Sequence, residues 1–134
     1  MIVLDASVIA KWFLEEPESS SALYYRDLHL KRKEIIIVPH ILVYEIANLL
    51  LYKNFTEKEI ISVLESLENF KIEVISLNFS DMVIRVAILA KEREITAYDA
   101  AYVLLARNFG CKFITADKKL YKKVKDLDFI ELLS

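Results

Sequence analysis

The sequence is poor in the residues that form linkers and disulfide frameworks. Its 134 residues include one glycine, two prolines and one cysteine. The scarcity of glycine and proline argues against flexible linkers, so we expect one compact domain spanning residues 1–134. The lone Cys111 excludes an intramolecular disulfide, and we expect it to be a small buried apolar side chain.

The sequence also lacks the residue patterns that are typical of a secretory leader and of a membrane span. The apolar segment 35–52 is interrupted by Pro39, His40 and Glu45, and one acidic residue at the centre of a membrane helix costs roughly 2.5–3.5 kcal/mol. No basic residues precede the first apolar run, and Asp5 ends that run too early for a signal peptide. The sequence therefore predicts a cytoplasmic protein.

Neither sign of charge is in large excess, because 18 lysines and arginines face 20 aspartates and glutamates and the net charge is −2. This balance argues against a protein that coats nucleic acid through bulk electrostatics. If bound cations neutralise a few acids, the remaining surface becomes mildly basic and can face a phosphate backbone. Charge alone leaves nucleic-acid binding open.

What the sequence does contain is a regular alternation of short apolar strands and helices. Strands are predicted at 1–4, 35–38, 72–77, 112–115 and 129–132, and helices at 8–14, 19–33, 39–53, 56–69, from Ser80 or Asp81 through Ala90, 97–108 and 117–125. Ser7, Pro39 and Thr56 are expected to begin helices, and Gly110 to end one. This alternation predicts an α/β fold, a three-layer α/β/α sandwich with a parallel sheet of about five strands.

Four acidic residues are expected to meet at one edge of that sheet. Asp5 directly follows the first strand, and Asp117 lies two residues beyond the strand 112–115. Asp99 lies in the first turn of a helix that begins at the same edge, where the sites of open parallel sheets form. Glu45 lies about 9 Å into an apolar helix, and its side chain leans back toward the helix start.

Carboxylates that gather in this way repel one another, and they take up protons unless a cation neutralises them. Their hard oxygen atoms suit Mg²⁺ or Mn²⁺, which keep several waters and bind a substrate phosphate. Such a cation can polarise a phosphodiester and activate water for attack. The acids therefore indicate a nuclease with a divalent metal cofactor.

Four segments of the chain together resemble one known family. They read I-V-L-D-A-S at the start, V-P-H-I-L-V-Y-E-I-A-N in the first third, I-T-A-Y-D-A-A-Y-V-L-L-A further on and F-I-T-A-D-K-K-L near the end. In this order they resemble the PIN-domain nucleases, particularly the VapC-type toxins of type II toxin–antitoxin systems. The resemblance implies strand order 3-2-1-4-5, metal-dependent endoribonuclease activity, frequent homodimers and inhibition by a cognate antitoxin.

The resemblance also implies residue roles, because Asp5, Glu45, Asp99 and Asp117 match the acidic cluster of the family. Asp5 and Asp99 are expected to bind the metal directly and Asp117 directly or through water, while Glu45 completes the coordination or positions the attacking water. Two hydroxyl residues, Ser7 and Thr115, match small polar positions beside the acids. They are expected to orient carboxylates or waters.

Purely structural interpretations stay open for most of these residues. Asp99 completes a capping-box pattern with Thr96, and Asp117 can cap the helix that follows it. Lysines 118, 119, 122, 123 and 125 can grip RNA phosphates or form a solvated face. Two further groups have simpler interpretations: His29 and His40 as surface or capping residues, and Trp12, Phe13, Tyr44, Leu49, Leu51 and Tyr52 as core, or as an interface with an antitoxin or a second copy.

Two rival functions are considered. A phosphoryl-transfer domain with an acceptor aspartate needs a second acid at the end of the first strand, and Ser7 occupies the position two residues after Asp5. The stronger rival is a catalytically silent PIN module that binds RNA or protein as a scaffold. Such modules generally lose acidic ligands, whereas this chain retains all four, so the ribonuclease is favoured.

Overall fold

Five parallel strands form a single sheet in the order β3-β2-β1-β4-β5, and seven α-helices flank it in a computed structural model that describes residues 1–77 and 81–134. The strands are β1 (Ile2–Leu4), β2 (Ile36–Pro39), β3 (Glu73–Ile75), β4 (Lys112–Thr115) and β5 (Ile130–Leu132). The helices are α1 (Ala6–Ile9), α2 (Ser19–Leu30), α3 (Ile41–Tyr52), α4 (Glu57–Asn69), α5 (Met82–Arg93), α6 (Ala97–Phe109) and α7 (Lys118–Val124), and a 3-10 turn, Ala10–Trp12, follows α1. The predicted fold class and strand order are confirmed.

The sheet is most apolar at its centre. Every residue of β1 and β2 is buried, and Val3 of β1 pairs with Ile37 on one side and Phe113 on the other. Strands covered on both faces carry continuous apolar residues, which is why these short runs form central strands. At the edge, Glu73 and Val74 of β3 are exposed.

Helix α6 crosses the middle of the sheet and packs against β1, β2 and β4. Its residues Ala100–Ala106 are all buried, and the alanines let the helix lie close to the strands. The Thr96 hydroxyl accepts a hydrogen bond from the Asp99 amide at the start of the helix, and Gly110 ends it at φ +61°. Helix α6 therefore fixes Asp99 relative to the centre of the sheet.

Several predicted helix boundaries are wrong. Asp5, and not Ser7, caps the first helix, because its carboxylate accepts the amide hydrogen of Val8. Pro39 is the last residue of β2, and helix α3 begins two residues later. Helix α2 ends at Leu30, three residues earlier than predicted. The predicted start at Ser80 lies outside the described residues, and α5 begins at Met82.

The spacing of Val83, Val86, Ala87 and Ala90 predicts that they form the apolar face of α5, and the observed buried face differs. Val86 and Leu89 are buried, whereas Val83 and Ala87 are exposed. Within the described ranges, no helix combines the length and the apolar character that a membrane span needs.

Three aromatic or aliphatic side chains that were interpreted as core lie at the surface. Tyr44, Leu51 and Tyr52 on α3 are 59%, 66% and 85% exposed, while Trp12 is buried as expected. Cys111 is only partly buried, so its expected full burial is wrong. The exposed side chains leave one face of α3 apolar and open to solvent.

His29 proves to be an internal link and not a simple surface residue. Its Nδ1 accepts a hydrogen bond from the Ile36 amide at 3.1 Å, so Nε2 carries the ring proton and donates it to the Phe70 carbonyl at 2.7 Å. His40 lies at the N-terminal cap position of α3 without a side-chain capping bond, and its ring packs edge-on against Tyr44.

Candidate active site

Asp5 lies at the carboxyl end of β1 and is the only buried acid among the described residues. The Ser7 hydroxyl donates to its Oδ1, and the Thr115 hydroxyl donates to its Oδ2, each at 2.5 Å. The Val8 amide also donates to Oδ1 at 3.3 Å. The two predicted hydroxyl residues therefore both hold the Asp5 carboxylate in place.

These hydroxyls are themselves held by backbone amides on the far side of the site. The Ala116 amide donates to the Ser7 hydroxyl at 2.9 Å, and the Asp117 amide donates to the Thr115 hydroxyl at 3.1 Å. A carboxylate offers about four lone-pair positions, and three are taken. One position on Oδ2 of Asp5 remains available, which suits a single bond to a cation.

Burial raises the pKa of Asp5 from 3.8 to about 7, although its hydrogen bonds with Ser7, Thr115 and Val8 oppose the shift. Repulsion by Asp99 raises this pKa further. A buried carboxylate with this pKa is poorly compensated at neutral pH. Among the described residues, Asp5 is thus the acid that gains most from a neighbouring positive charge.

Glu45 lies in the second turn of α3 and is half-buried, as its apolar surroundings predict. Its Oε1 accepts a hydrogen bond of 2.6 Å from the hydroxyl of Tyr102 on α6. Burial raises the pKa of Glu45, the Tyr102 hydrogen bond lowers it, and the charge of Asp99 raises it again. The charge of Asp99 therefore affects the pKa of Glu45 as it affects that of Asp5.

Asp99 lies in the first turn of α6, and Asp117 is the N-terminal cap residue of α7. Asp99 is half-buried in the first turn of α6, and burial followed by repulsion from Asp117 raises its pKa. Asp117 is exposed, and its Oδ1 caps α7 by accepting the amide hydrogens of Lys119 and Leu120 at 3.0 and 3.1 Å. The capping interpretation of Asp117 is therefore correct, and its Oδ2 makes neither of these bonds.

The four acids form one group of mutually repelling charges with Asp99 at its centre, because Asp99 raises the pKa of Asp5 and of Glu45 and is itself affected by Asp117. They do not form a closed cage, since residues 1–77 and 81–134 contain no cluster of three or more His, Cys, Asp or Glu side chains placed to hold a metal. Mg²⁺ usually keeps several waters and takes one or two protein carboxylates. The donor set fits such a hydrated cation.

An open cleft of about 680 Å³ lies over this edge of the sheet. Ser7 and Glu45 form part of its wall, together with the half-buried Lys11 and the exposed Asn48, Tyr52 and Tyr98. The volume is within the range of small-molecule sites. The cleft gives a ligand access from solvent to the Glu45 carboxylate.

Most of the chain matches a known family. The family model described as PIN domain matches residues 2–126. The chain belongs to the PIN domain family. Ribonuclease VapC3 of Pyrobaculum aerophilum is 30% identical over 127 residues, which cover 91% of this chain and 93% of that protein.

Solved structures share the fold of this PIN domain. VapC20 of Mycobacterium tuberculosis, titled a sarcin-ricin loop cleaving toxin, superposes with a TM-score of 0.72 at 15% identity and full coverage of both chains. A chain of a toxin-antitoxin complex from Klebsiella pneumoniae superposes with a TM-score of 0.71 at 14% identity, covering 98% of this chain and 96% of that one. At these identities the likeness concerns the fold alone.

Sequence reasoning missed one buried partner of the acids in this PIN domain. Tyr102 is fully buried, yet it occurs in the run Ala100–Ala106, which is otherwise apolar. Two signals point to it: a buried tyrosine hydroxyl usually needs a partner, and Tyr102 lies three residues after Asp99 on the same helical face. The exposed Tyr98, which lines the cleft, was also missed. Its position directly before Asp99 in the sequence is the signal that could have indicated it.

The titration of Asp5 predicts an unusual pH dependence for the metal-free protein. Below pH 3.8 this carboxyl is protonated in both the folded and the unfolded states. As the pH rises toward 7, the unfolded state releases the proton while the folded state retains it, so the free energy of unfolding falls. Full development of the shift corresponds to about 4 kcal/mol, and the loss is complete above pH 7.

This pH dependence can be measured by urea denaturation in EDTA at several pH values between 4 and 8, for the wild type and for Asp5→Asn. The difference between the two free energies of unfolding should grow in favour of the variant as the pH rises. Parallel curves would show that Asp5 ionises normally. The raised pKa values of Glu45 and Asp99 act in the same direction in both proteins.

Proposed function

We propose that residues 1–134 form a single PIN domain that acts in the cytoplasm as an endoribonuclease dependent on Mg²⁺ or Mn²⁺. The observation that carries this proposal is the group of four carboxylates centred on Asp99. The raised pKa values of three of them, Asp5, Glu45 and Asp99, call for a cation. A relative named ribonuclease, 30% identical over nearly the whole chain, supports RNA as the substrate.

In this proposal Asp5 and Asp99 bind the cation directly, Asp117 binds it directly or through water, and Glu45 completes the coordination or positions the attacking water. When bound, the cation supplies charge to polarise the phosphodiester and to activate water. Ser7 and Thr115 keep the Asp5 carboxylate in one orientation through their 2.5 Å hydrogen bonds. Hydrolysis then yields two RNA fragments.

Contact with the RNA backbone is assigned to the lysines at the start of α7. Lys118 and Lys119 directly follow Asp117 and are exposed, so phosphates bound at the acids lie near them. Lys123 already donates to the Glu94 carbonyl at 2.7 Å and links α7 to α5. We therefore assign phosphate contact to Lys118 and Lys119 before Lys123.

We further infer that the protein is the toxin of a type II toxin–antitoxin pair and forms homodimers. The exposed apolar face of α3, formed by Tyr44, Leu51 and Tyr52, supports a protein partner. The Klebsiella pneumoniae structure with the same fold is titled a toxin-antitoxin complex, which supports an antitoxin as that partner. The alternative is a catalytically silent scaffold, which would bind RNA or protein without cutting.

Incubation of the purified chain with total cellular RNA tests the ribonuclease. Cleavage is expected with Mn²⁺ or Mg²⁺ and not with EDTA, because the separate carboxylates need a cation to act together. Mapping of the new ends then identifies the RNA target. Intact RNA in every metal-containing sample, with folded protein, would favour the scaffold.

Expression of the chain in a bacterial host tests the toxin assignment separately. Growth arrest that a co-expressed neighbouring protein relieves is the expected result. Cleavage in vitro without growth arrest would retain the ribonuclease and reject the toxin.

A further inference from the structure

Tyr102 lies in the buried core, on the same helix as Asp99. Its side chain is fully buried, and its ring stacks on Phe113 of β4 with 5.8 Å between ring centroids and 11° between planes. Phe113 is also fully buried. The tyrosine is therefore fixed by the packing between α6 and the central sheet.

The Tyr102 hydroxyl reaches across from α6 to α3, where it donates to Glu45 Oε1 at 2.6 Å. Burial, followed by the charge of Glu45, raises the pKa of Tyr102 far above its usual value, with further contributions from Asp5 and Asp99. The hydroxyl consequently stays protonated and keeps its role as donor. Tyr102 thus lies within electrostatic range of three of the four acids and contacts Glu45 directly.

Packing alone does not require this hydroxyl, because a phenylalanine would fill the same space. Burying a hydroxyl without a partner is unfavourable, whereas a hydrogen bond to a charged group is among the stronger ones. Glu45 has a long side chain with several rotatable bonds, so one bond to a fixed donor removes much of its freedom. Glu45 also lines the open cleft, so the tyrosine binds it from the buried side.

We propose that Tyr102 is a positioning residue for the cation site: its hydroxyl fixes one oxygen of Glu45 so that the other oxygen faces the cleft and a hydrated divalent cation. A residue that orients a metal ligand in this way typically changes metal affinity or activity by about 10- to 100-fold. The catalytic part of this inference depends on the proposed function, whereas the effect on cation binding can be measured without RNA.

The decisive variant is Tyr102→Phe, which removes one oxygen atom and keeps the stacked ring. Mn²⁺ binding to the full chain, measured by calorimetry, should weaken about tenfold, and kcat for RNA should fall while KM stays the same. Tyr25→Phe is the matched control, because it removes the hydroxyl of a partly buried tyrosine on α2 and should change neither quantity. Thermal unfolding checks that both variants fold.

A double-mutant cycle separates positioning from a general effect on packing. In a Glu45→Ala background, Tyr102→Phe should cause no further loss of Mn²⁺ affinity, since the hydroxyl then has no carboxylate to hold. An equal loss in both backgrounds would overturn the proposal, and so would wild-type Mn²⁺ affinity in Tyr102→Phe alone. If the wild type cleaves RNA and Tyr102→Phe matches it, only this inference fails. If the wild type neither binds Mn²⁺ nor cleaves RNA, both proposals fail.

Discussion

The substitution Asp5→Asn is expected to abolish RNA cleavage while making the metal-free protein more stable at neutral pH. The loss of activity follows because Asp5 is a proposed direct metal ligand, and an amide removes its negative charge without changing its volume. A cation contributes several kcal/mol to catalysis of this kind, which corresponds to a decrease on the order of 1,000-fold. The gain in stability follows because the variant no longer buries a charge that is costly in the folded state.

Both effects of Asp5→Asn can be measured on one protein preparation. Cleavage is followed with a labelled RNA in Mn²⁺, and stability by urea denaturation in EDTA at pH 8. Asp128→Asn is the control, because it removes the charge of an exposed acid and should leave cleavage unchanged. Full activity in Asp5→Asn would refute the assignment of Asp5, and a lower stability would show that its hydrogen bonds outweigh the cost of burial.

Asp99→Asn should also abolish cleavage, for a different reason. The charge of Asp99 raises the pKa values of both Asp5 and Glu45, and the charge of Asp117 raises the pKa of Asp99. Removing its charge deprives the site of a proposed direct ligand and lowers the pKa values of Asp5 and Glu45 toward their usual range. The Thr96 hydroxyl accepts from the backbone amide of residue 99, so the helix cap is retained.

The expected decrease in cleavage for Asp99→Asn is again on the order of 1,000-fold, with weaker Mn²⁺ binding in calorimetry. The folded state should persist, because the side chain is only half-buried and the cap is preserved. The Asp128→Asn variant serves as the control here too. If Asp99→Asn no longer binds Mn²⁺ but cleaves RNA as fast as the wild type, cleavage does not depend on the bound cation and the proposed mechanism is rejected.

The parts of the fold that the sequence predicts well are those that local patterns determine. Thr56 begins α4 as predicted, in a capping box with Glu59 whose bonds are 3.2 and 2.9 Å. Gly110 has the positive φ that its position after a helix requires. The strand Lys112–Thr115 is observed with the predicted bounds. The positions of Asp5 and Asp117 follow from the central strands. Asp5 comes directly after β1, and Asp117 comes two residues after the end of β4.

The parts that the sequence did not predict depend on contacts between distant residues. Pro39 can begin a helix or end a strand, and its pairing with Ile75 of β3 decides for the strand. Tyr44 and Tyr52 have the apolar character of core residues, but α3 turns them away from the sheet. Tyr102 and Glu45 are 57 positions apart, so no local pattern links them. The metal-binding roles of the four acids stay predictions.

The packing of α6 directly against the sheet makes the core of this protein a support for its candidate active site. The helix that carries Asp99 and Tyr102 is held against β1 and β4 by small residues such as Ala100 and Ala106, which are fully buried. A larger side chain at either alanine would push the helix outward and displace Asp99 and Tyr102 with it. If the chain is toxic to its host, escape mutants should therefore arise at these core alanines as well as at the acids themselves.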